Sequence, residues 1–288
     1  MKQRVITGVI LGALLLGMML GVFTPVLTAV VILLSVVAVH EIGDCVGLKN
    51  LPMHILSCLS AIAIPLAVTF RESTSKFILP AAVFYVILQL CFMVLLYDKT
   101  PFTSAAVMIF TSVAVPEGFS MLIRLRDLCD NAVLNATKPH VVFLILFAFG
   151  ASWVADIFAL FCGKAFGKHK LCPTISPKKT VEGAIGGVLC AAIINCILLL
   201  VFRLLGYFGE GAESIIGEFY FVVPVSIVLS VISIFGDLSA SVIKRNFAVK
   251  DFGKILPGHG GIMDRFDSTL FVFPSLYAIV YGITILLK

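Results

Sequence analysis

The sequence has 288 residues, of which 60% are apolar and 13% carry a charge, and its formal net charge is +5 at pH 7. A soluble domain usually carries about 25% charged residues, so this composition excludes an ordinary soluble domain. The chain is expected to be an integral membrane protein, whose backbone polar groups must be satisfied inside helices. Its eight cysteines lie mostly in apolar runs and form no CxxC pair, so they are assigned to packing, with no disulfide and no zinc.

Apolar runs close to the length of about 20 residues that crosses a bilayer recur along the whole chain. The first lacks a clear cleavage site and is interpreted as a retained span, not as a signal peptide. The fold class is therefore expected to be an all-α polytopic membrane protein with about nine transmembrane helices. The predicted spans are 5–22, 25–40, 54–70, 77–96, 102–122, 140–162, 183–206, 219–243 and 266–287.

The distribution of basic residues predicts the orientation. About two thirds of the Lys and Arg residues fall on the side that holds the N-terminus, and such an excess marks the cytoplasmic side. The N-terminus is therefore expected in the cytoplasm, together with two basic loops, 163–182 and 244–265. We divide the chain into an N-terminal transmembrane region of about five spans, 1–139, which provides lipid access, and a C-terminal catalytic region, 140–288.

Three polar residues, His40, Glu41 and Asp44, end the second predicted span on the cytoplasmic side. An ordinary interfacial cap is the favoured interpretation. The alternative is that they line a substrate entrance.

Asp156 lies inside the sixth predicted span. A carboxylate at such a depth costs on the order of 2–3 kcal/mol, so it is expected to face the helix bundle and a partner. A lysine from a neighbouring element is the alternative, purely structural partner.

The first basic loop ends in a predicted helix start. Thr180 or Ser176 can cap the seventh span, and Glu182 in its first turn complements the helix dipole. Lys178 and Lys179 precede this helix N-terminus, which makes it a candidate anion site. The nearby Gly183, Gly186 and Gly187 would let another backbone or a ligand approach closely.

The stretch 233–267 concentrates charge between two apolar segments. If the preceding helix continues, its residues Asp237, Ser241, Lys244 and Arg245 share one face. If a helix starts near Asp264, then Asp264 and Asp267 also point the same way. A Gly-rich turn between them can bring backbone N–H groups to an anion. Carboxylates, fixed cations and such a turn together indicate a site for a phosphorylated, metal-bound substrate.

These residues resemble the phosphatidate cytidylyltransferases, also called CDP-diacylglycerol synthases. The similarity covers most of the C-terminal half, and the chain departs from the family pattern after Asp156 and at Val181. Its most specific part is Ser241-x-x-Lys244-Arg245-x4-Lys250-Asp251-x5-Pro257-Gly258-His259-Gly260-Gly261-x-x-Asp264-Arg265-x-Asp267. The resemblance implies that CTP and phosphatidic acid react to give CDP-diacylglycerol and pyrophosphate, with Mg²⁺ and with room for a second cation.

The resemblance also implies roles for individual residues. Asp237 and Asp264 are the leading metal ligands, with Asp267 and Asp251 as supporting candidates. Phosphates would be held by cations and by the backbone of the Gly-rich turn, and His259 would either donate to a phosphate or hold that turn. The expected catalytic residues are Asp237, Asp264, Lys244, Arg245 and Asp267. The expected substrate-binding residues are Asp156, Ser176, Lys178, Lys179, Thr180, Glu182, Ser241, Lys250, Asp251, Gly258, His259, Gly260, Gly261 and Arg265.

Two other functions compete with this interpretation. A CTP-dependent lipid kinase of the polyprenol or phytol type uses similar architecture but transfers the γ-phosphoryl group to an alcohol, a reaction that benefits from a base. A transporter would place its polar groups at mid-bilayer in internal repeats, whereas here they concentrate at one face. The expected partners are CTP, phosphatidic acid and the lipid bilayer of the inner cell membrane, with a homodimer as a further expectation and no nucleic acid.

Overall fold

A computed structural model of the protein describes residues 12–13, 15–129, 131, 133–208, 214–256 and 260–287. Its helices are α1 (Pro25–Cys45), α2 (Leu51–Thr69), α3 (Arg71–Leu95), α4 (Phe102–Arg126), α5 (Lys138–Phe149), α6 (Ala155–Phe166), α7 (Val181–Leu204), α8 (Phe219–Asn246), α9 (Met263–Phe266) and α10 (Thr269–Leu286). Short 3₁₀ turns occupy Tyr97–Lys99 and Ile215–Gly217. The chain is thus predominantly helical, as its composition predicts.

Eight helices in the described part are long and apolar enough to cross a membrane. They correspond to the second to ninth predicted spans, so the all-α polytopic class is confirmed. The first predicted span, 5–22, lies largely outside the described residues, although 15–20 are helical. The predicted orientation is not tested by the fold and stays a prediction.

Local start signals account for several helix boundaries. Thr24 precedes α1 and accepts a hydrogen bond from the Val26 N–H at 3.2 Å, and a proline stands at the start of the helix. Asn50 caps α2 in the same way, through the Met53 N–H at 3.1 Å. Such side chains satisfy N–H groups that have no partner within the helix, and proline is tolerated at these positions because it needs no N–H there.

The sixth span is not a uniform α-helix. A five-residue π-turn, Gly150–Val154, separates α5 from α6, and Asp156 follows it in the first turn of α6. π-Turns inside helices are rare and frequently occur at functional sites. The sequence predicted an unbroken helix here.

The chain forms two compact units. The first contains residues 1–123 and 244–266, and the second contains 124–243 and 267–288. This grouping follows spatial contacts and does not test the predicted functional division at 139/140, which stays a prediction. The two units are described separately below.

In the first unit, α1 packs against α2 and α2 packs against α3. Two amide side chains inside this packing donate to hydroxyl groups. Gln89 donates to the Ser57 hydroxyl at 2.9 Å, and Asn50 donates to Thr100 at 2.9 Å. Such pairing is needed because an unsatisfied polar group away from water is costly.

In the second unit, the helix pair α6–α7 is held together by small residues. A side-chain Cβ on Gly183 would lie 2.5 Å from the Ala159 carbonyl oxygen, and one on Gly187 would lie 2.5 Å from that of Ala155. The backbones of the two helices therefore approach as closely as small-residue interfaces allow in membranes. The prediction that this glycine cluster admits another backbone is confirmed.

A β-hairpin, which the sequence analysis did not predict, occupies the basic loop. Strands β1 (Lys170–Cys172) and β2 (Ser176–Thr180) pair antiparallel, with Lys170 opposite Thr180 and Cys172 opposite Ser176. Pro177 lies in β2, and proline is tolerated in such an edge strand because one side makes no ladder hydrogen bonds. The hairpin fixes the direction in which the chain enters α7.

Candidate active site

Asp264 is the centre of a hydrogen-bonded cluster in the first unit. Its Oδ1 accepts from the Lys244 ammonium at 2.7 Å, and its Oδ2 accepts from the backbone N–H groups of Phe252 at 2.8 Å and Gly261 at 3.0 Å. The exposed fraction is 11% for the Lys244 side chain and 4% for that of Asp264. The ammonium also lies 5.0 Å from the centre of the Phe252 ring. The Asp264 carboxylate thereby ties the end of α8 to the loop that follows.

Glu41 holds the other side of the same loop. It is 2% exposed, and its carboxylate accepts from the backbone N–H groups of Ile262 at 3.1 Å and Met263 at 2.9 Å. A Cβ on Gly253 or on Gly261 would overlap with this carboxylate, so a larger residue at either position would have to displace it. Glu41 is therefore buried against the segment between α8 and α9, which we call the signature loop. The interfacial cap that we favoured from the sequence is wrong for this residue.

Leu256 and Gly260 pair through their backbones across the Gly-rich turn. Leu256 donates its N–H to the Gly260 carbonyl at 2.9 Å, and Gly260 has φ +84°, a conformation that L-residues with side chains rarely adopt. The predicted phosphate-binding N–H of Gly261 donates to Asp264 here, so any phosphate must compete with that carboxylate. Gly258 and His259 lie outside the described residues, and their predicted roles stay predictions.

Several charged residues of the first unit that were predicted to bind substrate or metal are exposed. Arg245 lies in the last turn of α8, Lys250 and Asp251 lie in the loop, and Arg265 lies in α9. Their exposure leaves them accessible to a ligand from solvent.

In the second unit, Lys179 of β2 forms an ion pair with Asp237 of α8. The exposed fractions of their side chains are 23% and 24%. Thr180 follows Lys179 and caps α7, where its hydroxyl accepts from the Gly183 N–H at 3.2 Å. The predicted N-cap is confirmed. Lys179, a predicted phosphate-binding cation, forms its ion pair with Asp237, a predicted metal ligand.

Other residues of this loop differ in their surroundings. Lys178 is exposed on β2, and Ser176 is half-buried at its start. Glu182 lies in the first turn of α7, as predicted. Its carboxylate also accepts from the Lys168 N–H at 3.0 Å and contacts His169 Nδ1 at 2.6 Å, so it holds the segment before β1 in place.

Two further carboxylates of the second unit meet at Ser268. The Ser268 hydroxyl donates to Asp156 at 2.9 Å, and the Ser268 N–H donates to Asp267 at 2.7 Å. Gly236 of α8 allows this segment to pass closely, since a Cβ there would lie 2.9 Å from the Asp267 carbonyl oxygen. The prediction that Asp156 faces a partner within the protein is confirmed, and one such partner is a serine hydroxyl.

Asp264 and Asp267 do not lie on one helix. The helix α9 ends at Phe266, Asp267 lies in the turn that follows, and α10 begins at Thr269. The Asp267 carboxylate bonds the N–H of its own turn, while Asp264 bonds Lys244 and the loop. The expectation that one helix carries both residues is therefore wrong. By contrast, α8 continues through Asn246, which confirms the helix that carries Asp237, Ser241, Lys244 and Arg245.

Comparison with known proteins extends these observations to the whole chain. The model of the cytidylyltransferase family matches residues 2–283. The chain belongs to this family. It is similar to the phosphatidate cytidylyltransferases of Staphylococcus haemolyticus (35% identical over 245 residues, 85% of each chain) and Bacillus subtilis (34% over 280 residues, 96% of each). Over a shorter part, 143 residues or about half of each chain, it is 43% identical to that of Staphylococcus saprophyticus.

As a member of the cytidylyltransferase family, the chain is a nucleotidyltransferase and an integral membrane protein. The predicted carboxylate ligands suit a hard divalent cation such as Mg²⁺, which takes oxygen ligands. Asp237 is the more accessible of the two predicted ligands, whereas both Asp264 oxygens already accept hydrogen bonds. In the described part of the chain, the predicted ligands form no group of three donor atoms within 4.8 Å of one another. One or two carboxylates suffice when phosphates and water complete the shell.

Three residues that hold predicted site segments or carboxylates in place were not assigned this role from the sequence. Glu41 carried a signal, because a carboxylate at the end of an apolar run needs a partner, but nothing in the sequence named residues 262–263 as that partner. Ser268 and His169 carried no signal, since each acts only through a carboxylate that the fold places beside it.

Proposed function

We propose that this enzyme transfers the cytidylyl group of CTP to phosphatidic acid, giving CDP-diacylglycerol and pyrophosphate. The observation that carries the proposal is the similarity over 85–96% of the chain to two proteins named phosphatidate cytidylyltransferase, together with the complete signature from Ser241 to Asp267. A phosphate oxygen of the lipid attacks the α-phosphorus of CTP, and the bond to the β-phosphate breaks to release pyrophosphate.

An apolar cavity of the second unit supports a lipid substrate. Its volume is about 510 Å³, and α7, α8 and β1 supply its walls. Val181 lines it immediately after Thr180, and Phe235 and Leu238 line it on either side of Asp237. A lipid whose acyl chain lies in this cavity would place its headgroup beside the Lys179–Asp237 pair, where the cavity wall changes from apolar to charged residues.

The charged residues supply what the reaction needs. Two anions must meet, so fixed cations and preorganised donors lower the barrier by offsetting their repulsion and the charge that develops on pyrophosphate. Lys178 and Lys179 would hold the lipid phosphate at the start of α7. Arg245, Lys250 and Arg265 would hold the triphosphate, the arginines through forked hydrogen bonds and the lysine as a point charge.

We include Mg²⁺ as the metal ion that the proposed reaction requires. When bound, it would neutralise phosphate charge and orient the α-phosphate for attack. Asp237 and Asp264 would hold it, with Asp267 and Asp251 as supporting carboxylates, and a second cation stays a prediction. We also propose the cytoplasmic face of the inner cell membrane as the location, while the homodimer stays a prediction.

A labelling experiment on the purified protein tests the reaction. With phosphatidic acid and Mg²⁺, CTP labelled at the α-phosphate should transfer its label to lipid, and CTP labelled at the γ-phosphate should release labelled pyrophosphate. A lipid kinase would instead label lipid from the γ-phosphate, and that result would overturn the proposal. Chelation of Mg²⁺ should abolish both signals, and activity that persists would refute the metal requirement.

Lys179→Gln tests the lipid-phosphate site. Loss of a charged hydrogen bond of about 1.5–3 kcal/mol predicts that turnover falls roughly 10- to 150-fold. Lys164→Gln is the matched control, because Lys164 is an exposed lysine of the preceding helix without an assigned role. Equal activities of the two variants would remove Lys179 from the site.

A further inference from the structure

A cluster of three metal-ligating side chains lies in the first unit and has no role in the proposed reaction. His40 and Asp44 are one turn apart near the end of α1, and His54 comes from the first turn of α2. His40 Nδ1 lies 2.9 Å from His54 Nε2, and His40 Nε2 lies 3.7 Å from Asp44 Oδ2. One donor atom from each side chain lies within 4.8 Å of the other two.

The fold brings these residues together through a short connection and a glycine. The helix α1 ends at Cys45 and α2 begins at Leu51, so the two helix ends are neighbours. A Cβ on Gly43 would lie 2.6 Å from His54 Cε1. The imidazole of His54 therefore lies directly against the α1 backbone. A larger residue at position 43 would displace the ring from this position.

We propose that His40, Asp44 and His54 bind a divalent transition-metal ion such as Zn²⁺, separately from the catalytic Mg²⁺. Two imidazoles and one carboxylate form a ligand set that zinc accepts, with water in the fourth position. Imidazole nitrogen favours such borderline ions, whereas Mg²⁺ prefers oxygen donors alone. The cluster thus favours Zn²⁺ over Mg²⁺, the cation that the proposed reaction requires.

The distances need only small adjustments. Two nitrogens bound to one ion at about 2.0–2.1 Å lie roughly 3.4 Å apart in tetrahedral geometry, so the imidazoles must separate by about 0.5 Å. Asp44 must move inward, and its side chain is 67% exposed, which leaves room for rotation. A neutral imidazole carries one N–H, so the ring that donates the His40–His54 hydrogen bond moves its proton to its other nitrogen when both facing nitrogens bind the ion.

A bound ion would join α1 to α2 beside Glu41, the residue that follows His40 and holds the backbone of Ile262 and Met263. Metal binding is therefore expected to raise the melting temperature of the protein, because an ion that binds only the folded state stabilises it.

Equilibrium dialysis of Zn²⁺ against the purified full chain tests the site, with millimolar Mg²⁺ present to occupy the oxygen-rich site. We expect one ion per chain, with affinity at least about 10-fold weaker in His40→Gln and in His54→Gln. His169→Gln is the matched control, since His169 is an exposed histidine of the other unit, and should bind zinc as the wild type does. Melting temperatures without zinc show that each variant is folded.

Gly43→Ala supplies a second test that keeps all three ligands. It should weaken zinc binding by displacing the His54 ring, and unchanged binding would contradict the geometry. Cys58 lies one turn beyond His54, on the same face of α2. Zinc binding that survives both histidine variants but is lost in Cys58→Ser would place the ion on a thiolate and overturn the proposal.

Discussion

Replacing Glu41 with glutamine should slow the enzyme by displacing the signature loop. The Glu41 carboxylate accepts two backbone hydrogen bonds, from Ile262 and Met263, and each bond to a charged acceptor is worth about 1.5–3 kcal/mol. Glutamine has the same size but keeps one acceptor oxygen and turns an amide donor toward the other N–H. At least one bond is lost, and since about 1.4 kcal/mol is a factor of ten, turnover should fall roughly 10- to 150-fold.

The assay is transfer of label from CTP to phosphatidic acid in detergent micelles, with saturating Mg²⁺. Glu72→Gln makes the same chemical change on an exposed glutamate in the first turn of α3 and should keep wild-type turnover. The melting temperature separates a displaced loop from an unfolded protein. Activity of Glu41→Gln within twofold of wild type would show that these two bonds do not position the loop.

Two other predictions test packing and charge. Gly183→Ala should lower the melting temperature, because its Cβ would lie 2.5 Å from the Ala159 carbonyl oxygen and overpacking costs about 1–3 kcal/mol. Gly282→Ala is the control, since no atom of the described residues lies within 4 Å of the new Cβ. Equal shifts of the melting temperature in the two variants would refute the argument. Lys244→Met should abolish turnover and destabilise the protein by about 3–5 kcal/mol, because it leaves the Asp264 carboxylate buried without its cation. Asp264→Asn should also abolish turnover, and the double variant should be more stable than Lys244→Met alone; denaturation showing simple addition of the two losses would contradict the coupling.

The membrane spans could be predicted because their signal is local. A run of apolar residues about as long as a bilayer is thick must form a helix wherever it crosses lipid, whatever the rest of the chain does. The same applies to the Thr180 cap, which depends on a side chain and an N–H group three residues apart. The helix α8 continues past its apolar run to Asn246, which meets the condition under which its charged residues were expected to share a face.

The partners of the charged residues could not be predicted, because they depend on tertiary packing. Glu41 and Met263 are 222 positions apart, and no sequence pattern links them. The β-hairpin was missed for a related reason: β1 has three residues and carries too few alternations to signal a strand. The break between α9 and α10 also escaped prediction, since the Asp267 side chain bonds the backbone of its own turn at a position where the sequence permits a helix.

Two buried carboxylates hold the signature loop, and this bears on how the enzyme uses it. Asp264 fixes the N–H groups of Phe252 and Gly261, and Glu41 fixes those of Ile262 and Met263. These four backbone positions are fixed before substrate arrives, so the cations beside them need less further ordering to meet a triphosphate. Preorganisation of this kind lowers the barrier because the entropy of orientation is lost on folding and not during the reaction. It follows that substitutions at the two carboxylates should lower kcat even though neither change removes an exposed cation.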